Sequence, residues 1–76
     1  MSAPLLDGPG LVVRRIRVAR ERVAWVRYLL EADDGLGNLH GDSHGVLSLV
    51  TTVEQAEALD RFIDDLSREI PVERID

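Results

Sequence analysis

Two histidines and an aspartate at alternate positions, His40, Asp42 and His44, form the one cluster in this sequence whose residue types and spacing suit a metal ion. Imidazole nitrogens on the two sides of a tight turn can converge on one ion, with the aspartate as third ligand. The fourth ligand would then be water or a group from another subunit. Because three ligands on a turn make an incomplete site, we favour a solvated turn and expect no cofactor.

A glycine-rich segment, Asp34-Gly35-Leu36-Gly37, precedes this cluster. With Gly41 its glycines read G-x-G-x-x-x-G and follow a predicted helix, whereas a dinucleotide-binding loop reads G-x-G-x-x-G and follows a strand. An EF-hand calcium loop is also excluded, because position three of the loop would be Gly or Leu and no Glu closes the loop at position twelve. The segment is typical of a helix end, and we expect Gly35 and Gly37 to adopt the left-handed conformation there.

No catalytic set is evident among the remaining residues. The absence of cysteine excludes thiol nucleophiles and disulfides. Both histidines lie in one turn with no buried carboxylate predicted nearby, so no Ser-His-Asp arrangement can be argued. The adjacent acids Asp33–Asp34 and Asp64–Asp65 diverge instead of sharing a proton. We therefore predict that the protein is not an enzyme.

Length and charge indicate one small acidic domain. The chain has 76 residues and a formal net charge of −5. A domain of this size buries only about 60% of the surface of its unfolded chain, and oligomerisation is a common additional source of stability. Residues 1–10 show neither the basic n-region nor the apolar h-region of a signal peptide, and the sequence contains no apolar run of the ~20 residues that a bilayer requires. We expect a cytoplasmic protein that does not enter membranes.

Alternating strand and helix patterns follow a Pro- and Gly-containing segment, residues 1–10, which we interpret as a flexible arm before a single domain over 11–76. "LVVRRIRV" alternates apolar and charged residues, with Ile16 and Val18 on the buried face, and predicts a central strand. "RERVAWVRYLLEA" has the apolar spacing of an amphipathic helix. The three aromatic residues of the chain lie on the predicted helices, where we expect core packing: Trp25, Tyr28 and Phe62.

A hairpin and a second helix complete the pattern. "LGNLH" and "GVLSLVT" flank a turn, "GDSHG", and predict a β-hairpin. "TTVEQAEALDRFIDDLSREI" predicts an amphipathic helix with a capping box from Thr52 to Gln55, ended by Pro71. Its outer face is acidic, and "VERI" suggests a short last strand.

This order, β-α-β-β-α(-β), predicts an α+β ferredoxin-like fold, in which two helices cover one face of an antiparallel sheet. The other face is left open. If Leu47 and Leu49 point to the helices, the open face carries alternate residues of two strands: Val13, Arg15, Arg17, Val46, Ser48 and Val50. Half-apolar faces of this kind usually contact something, and self-association is the simplest expectation.

Charged surfaces suggest two other partners. The arginines of the first strand could contact phosphate, but RNA-binding sheets carry stacking aromatics that this strand lacks, so we do not expect nucleic acid binding. The acidic face of the last helix could dock on a basic protein partner, and such binding would be salt-sensitive.

The segment "WVRYLLEADDGLGNLHGDSHGVLSLVTT", with the helix ending in "LSREI", resembles an uncharacterised bacterial family of short proteins, a domain of unknown function with a D-G-L-G turn. The resemblance covers roughly residues 13–70 and implies the fold, but it carries over no catalytic residue. The element order is also similar to that of ACT regulatory domains, which bind amino acids at subunit interfaces. Their ligand loop usually contains glycine, whereas the corresponding "VARER" has none.

The sequence therefore favours a non-catalytic module that forms a homo-oligomer or binds a protein partner through the open face or the hairpin edge. The alternative is an ACT-like sensor of a small ligand or metal, which would use the glycine-rich loop and the histidine turn.

Overall fold

A computed structural model describes residues 10–33, 36–42 and 44–75 of the chain. The predicted arm falls almost entirely on residues 1–9, which lie outside the described residues. The described part contains four strands and two helices, with a 3-10 turn before each helix: β1 (Leu11–Arg17), α1 (Val23–Ala32), β2 (Asn38–Gly41), β3 (Val46–Thr52), α2 (Ala56–Ser67) and β4 (Glu73–Arg74). The strands form one sheet in the order β2-β3-β1-β4, with antiparallel neighbours. This α+β arrangement, compatible with a ferredoxin-like sandwich, confirms the predicted fold class.

The two central strands, β1 and β3, present the faces that their alternation predicted. β1 pairs with β3 over all seven of its residues, and Ile16 lies opposite Leu47. Both side chains are fully buried, whereas the neighbouring Arg15 and Arg17 are exposed. Since side chains alternate between the two faces of a strand, this register directs one set of residues to the helices and the other to the opposite face.

The core lies between the helices and one face of the sheet. It joins alternate strand residues to the apolar stripe of each helix: Ile16, Val18, Val26, Leu30, Leu36, Leu39, Leu47, Leu49, Leu59, Ile63, Leu66 and Ile70. Trp25 and Phe62 are half-buried and pack against this cluster, as expected. Tyr28 does not, because its position on α1 faces away from the sheet and leaves it 67% exposed.

The predicted start of the second helix is wrong in detail. Thr52 keeps an extended backbone at the end of β3, and a 3-10 turn over Val53–Gln55 separates it from α2. Neither Thr52 nor Gln55 makes a side-chain cap hydrogen bond. The intervening turn replaces the capping box because the chain changes direction between sheet and helix layer before α2 begins. At the other end, α2 stops at Ser67, before Pro71, and the chain continues as turns to Ile70.

The glycine-rich end of α1 also differs from the expectation. Gly37 has no positive φ, so it does not supply a left-handed helix end, and Gly35 lies outside the described residues. Gly37 instead lies so close to β3 that a Cβ would collide with the main-chain oxygen of Val50. Glycine is required there for close approach of two backbone segments.

Candidate functional site: the open face of the sheet

The six residues predicted to share a surface do lie on one face of the sheet. The register places Val13 opposite Val50, Arg15 opposite Ser48 and Arg17 opposite Val46. Residues directly opposite each other on antiparallel strands point to the same side. None of the six belongs to the core cluster on the helix side. We call the side of the sheet that carries them the open face.

The outer strands add residues that the sequence interpretation missed. Asn38 and His40 of β2 lie opposite Val50 and Ser48, and Glu73 of β4 lies opposite Arg17. The Ile75 N–H donates to the Arg15 carbonyl, which places Ile75 beside Arg15 on the same face. The alternation in Asn38-Leu39-His40 was a signal for this, but His40 was considered only as a candidate metal ligand beside the turn.

Apolar side chains occupy much of the open face. Leu11, Val13 and Val46 are half-buried, and Ile75 is 41% exposed. Val50 is only 8% exposed although it lies outside the core cluster. The centre of this face is therefore largely withdrawn from water without any helix above it in the described part of the chain.

Charges on the open face balance. Arg17 forms an ion pair with Glu73 at 2.9 Å. Asp42 follows β2 and extends the same face, because its N–H donates to the Val46 carbonyl. The main-chain N–H groups of Val46 and His44 hold the pKa of Asp42 below its ordinary value, and the nearby charges of His44 and Arg17 add to this effect. Among the described residues of this face, Arg15 and Arg17 are the arginines and Asp42 and Glu73 are the carboxylates, in a chain of net charge −5.

The helix side of the sheet carries a separate ionic cluster. Arg14 Nε donates to Asp60 Oδ1 of α2 at 2.9 Å, and Arg74 Nη2 of β4 donates to Asp64 Oδ1 at 3.2 Å. Arg74 also lies 3.6 Å from Asp60. The hydrogen bond from Arg14 lowers the pKa of Asp60, with the Arg74 charge contributing. Part of the acidic surface of α2 is thus neutralised within the chain, and sequence spacing gave no signal for it.

The candidate metal ligands His40, Asp42 and His44 all lie on the hairpin. His40 lies on β2 beside Ser48, while Asp42 and His44 lie in the turn. Asp42 Oδ1 accepts hydrogen bonds from the N–H groups of His44 at 2.7 Å and Val46 at 3.0 Å. Within the described ranges, no three His, Cys, Asp or Glu side chains are grouped so that they could hold a metal ion. The aspartate instead stabilises the turn.

The glycine-rich segment is described only in its second half, because Asp34 and Gly35 lie outside the described residues. Leu36 is buried, and its carbonyl accepts a hydrogen bond from the Thr51 hydroxyl. Gly37 packs against the Val50 backbone. These contacts attach the segment to β3, so Leu36 and Gly37 each have a structural role.

An open groove of about 560 Å³ lies where β1 ends, between the end of α2 and the segment leading to β4. The polar groups along it are already engaged, since Arg17 pairs with Glu73 and the Ser67 hydroxyl donates to the Asp64 carbonyl. Of the predicted site residues, only Arg17 lines it. Each polar side chain that lines the groove among the described residues therefore already has a partner within the chain.

Comparison with known proteins identifies the family of this chain but assigns it no activity. No curated protein and no solved structure matches the chain. None of the helices in the described ranges is long and apolar enough to cross a bilayer. The profile of one family, Domain of unknown function (DUF4911), matches residues 16–70, which confirms the resemblance to an uncharacterised family of short domains. Because this match covers well over half of the chain, the protein belongs to the DUF4911 family.

Proposed function

We propose that this protein is a small non-catalytic assembly module that binds a second copy of itself through the open face. The observation that carries the proposal is the one-sided packing of the sheet. Both helices pack on the side of Ile16 and Leu47, whereas the opposite side presents the half-buried Val13 and Val46 beside the buried Val50, with no helix on that side in the described part. Apolar residues arranged on one continuous face mark interaction surfaces more often than isolated ones do.

Charge balance favours a second copy as the occupant. Two copies, each with a net charge of −5, repel one another unless they meet through a surface without excess negative charge. The described part of the open face is such a surface, because Arg15 and Arg17 balance Asp42 and Glu73. In a two-fold contact the same patch lies on both sides, so the arginines of one copy can approach the carboxylates of the other.

The size of the domain supports the same conclusion. The described core contains one layer of side chains between sheet and helices, and the chain has no cysteine for a disulfide. A second sheet packed at about 10 Å would bury the valines from both sides and enlarge the apolar core. The proposal extends to a bacterial, cytoplasmic setting, where disulfides are rare.

A charge reversal on the open face tests this function. Arg15→Glu is compared with Arg27→Glu, which reverses an exposed arginine on α1, in the other layer. We expect native mass spectrometry and sedimentation equilibrium to give a dimer or larger oligomer for the wild type and for Arg27→Glu. We expect a smaller assembly for Arg15→Glu. Thermal melting of both variants verifies that they fold.

Two results would contradict the proposal. One is a wild-type protein that stays monomeric over the whole accessible concentration range. The other is an Arg15→Glu variant that assembles as the wild type does. A retained metal or metabolite mass would support the sensor alternative, with His40→Ala and His44→Ala as the next variants.

A further inference from the structure

One edge of β1 is only partly covered. On one side β1 pairs with β3 along its full length, but on the other side β4 pairs only with Ile16 and Arg17. The Ile75 N–H adds a hydrogen bond to the Arg15 carbonyl. Beyond that point, no strand within the described residues pairs with Leu11, Val12 or Val13 on this side. We call this segment, Leu11–Val13, the β1 edge.

The direction of each backbone group at the β1 edge follows from the hydrogen bonds around it. The Val18 N–H donates to the Gly45 carbonyl, and the Gly10 carbonyl accepts from the Val53 N–H. Because Gly45 and Val53 directly flank β3, the main-chain groups of even-numbered residues of β1 point toward β3. Arg15 points its carbonyl the other way, toward Ile75. Because these directions alternate along a strand, the N–H and C=O groups of Leu11 and Val13 point outward. The Val13 carbonyl also accepts a long hydrogen bond, 3.4 Å, from Arg14 Nη1, so an added strand must share this carbonyl with Arg14 or displace the contact.

The sequence of the β1 edge lacks the usual protection. Natural edge strands are protected by charges, proline or bulges that discourage pairing with another chain. Leu11, Val12 and Val13 are apolar, half-buried and regularly paired with β3, and two of them are β-branched. Such a segment favours the addition of a strand.

We propose that a second copy of the chain pairs its own β1 antiparallel to the β1 edge, with the two-fold axis at Val12. In this register Leu11 of each copy exchanges two main-chain hydrogen bonds with Val13 of the other, so all the outward groups are used. Leu11 and Val13 also form cross-strand apolar pairs on the open face.

The neighbouring registers are less suitable. An axis at Val13 places Leu11 opposite Arg15 of the other copy, whose carbonyl already accepts from Ile75. An axis at Leu11 places Val13 opposite Pro9, which has no N–H to donate. The Val12 register needs neither the Arg15 carbonyl nor an N–H at position 9, because its main-chain pairs join only Leu11 and Val13.

Charges beside the edge are compatible with a second copy. The contacts of Asp60 with Arg14 and Arg74 place α2 above β1 and β4, so the pairing would bring two acidic helices nearer to each other. The two α2 carboxylates that contact these strands, Asp60 and Asp64, are each paired with an arginine of their own chain. This neutralisation reduces the repulsion that would otherwise oppose the pairing. The edge contact is separate from the open-face contact and can form without it.

Proline substitution tests the edge directly. Val13→Pro removes an outward N–H and leaves the bonds to β3 intact, and edge strands tolerate proline in that orientation. Val13→Thr is the matched control, because it is β-branched and keeps the N–H. Both are made in the Arg15→Glu background, where the open-face contact is expected to be absent. We expect Val13→Pro to weaken the remaining association on the order of thirtyfold, since each dimer loses two main-chain hydrogen bonds.

Equal association of the folded Val13→Pro and Val13→Thr variants would overturn the edge proposal and leave the open-face proposal intact. Amide hydrogen exchange of the wild type gives a second test that does not depend on how the proline variant folds. Protection of the Leu11 and Val13 amides that falls on dilution supports the pairing. Fast exchange at every concentration, or protection that dilution does not change, overturns it.

Discussion

Asp60 connects three elements through one carboxylate. It accepts a hydrogen bond from Arg14 of β1 and lies near Arg74 of β4, while its own backbone belongs to α2. The Arg14 hydrogen bond lowers its pKa, so the ionised form is favoured in the folded state. An aspartate with a lowered folded-state pKa stabilises the fold above its unfolded value of about 3.9, and this contribution disappears as the pH falls through the folded value.

Replacement of Asp60 by asparagine therefore has a pH-dependent effect. We expect Asp60→Asn to lower the free energy of unfolding by about 1 kcal/mol at pH 7, the upper range for a pair open to solvent. The side chain is 38% exposed, so added salt reduces the loss. Urea titrations at pH 7 and pH 2.5 measure this loss in the free energy of unfolding. Glu57→Gln, on the exposed surface of α2, is the control. A loss that persists at the lower pH would contradict the ionic origin.

At the scale of the elements, periodicity predicted the order of strands and helices and the faces they bury. Ile16, Leu47 and Leu59 could be assigned to the core because alternation along strands and apolar spacing along helices decide which side is buried. Contacts between distant segments could not be predicted. Arg14 differs from its neighbour Arg15 only in facing α2, and Gly37 is required by the backbone of Val50, which lies far away in sequence.

Two glycines lie at opposite ends of the β1–β3 pair. Their replacement by alanine distinguishes the cost of backbone strain alone from the cost of strain combined with a steric collision. Gly45 and Gly10 both have positive φ, 86° and 82°. A Cβ at Gly45 would meet the main-chain oxygen of Val18, whereas one at Gly10 would have nothing within 4 Å. Gly10→Ala is expected to lose about 1 kcal/mol of stability from backbone strain alone.

Gly45→Ala is expected to lose about 1–3 kcal/mol more, because Val18 and the hairpin must also move apart. Chemical denaturation of the two alanine variants measures the difference. Equal losses would mean that the hairpin accommodates a methyl group there without moving β1.

At the scale of the whole molecule, salt distinguishes the two kinds of association. Copies that meet through the neutral open face still repel through their net charge of −5. Screening weakens that repulsion, since the Debye length falls to about 3 Å at 1 M ionic strength. We expect sedimentation equilibrium to show stronger self-association at high salt. Docking of a basic partner on the acidic face of α2 would weaken instead, so weaker assembly at high salt would favour that surface.

The pairing of β1 with β3 also governs how the chain reaches this structure. Val13 lies opposite Val50, and Arg17 lies opposite Glu73, so the central contacts join residues far apart in sequence. Chains with such contacts fold more slowly than helical bundles, because a long loop must close before the contacts form. The two-residue β4 offers few contacts of its own, so we expect it to join a sheet that has already formed. During that interval no strand of the described part covers the side of β1 that faces β4, and we expect two chains to be most prone to pair there before either has finished folding.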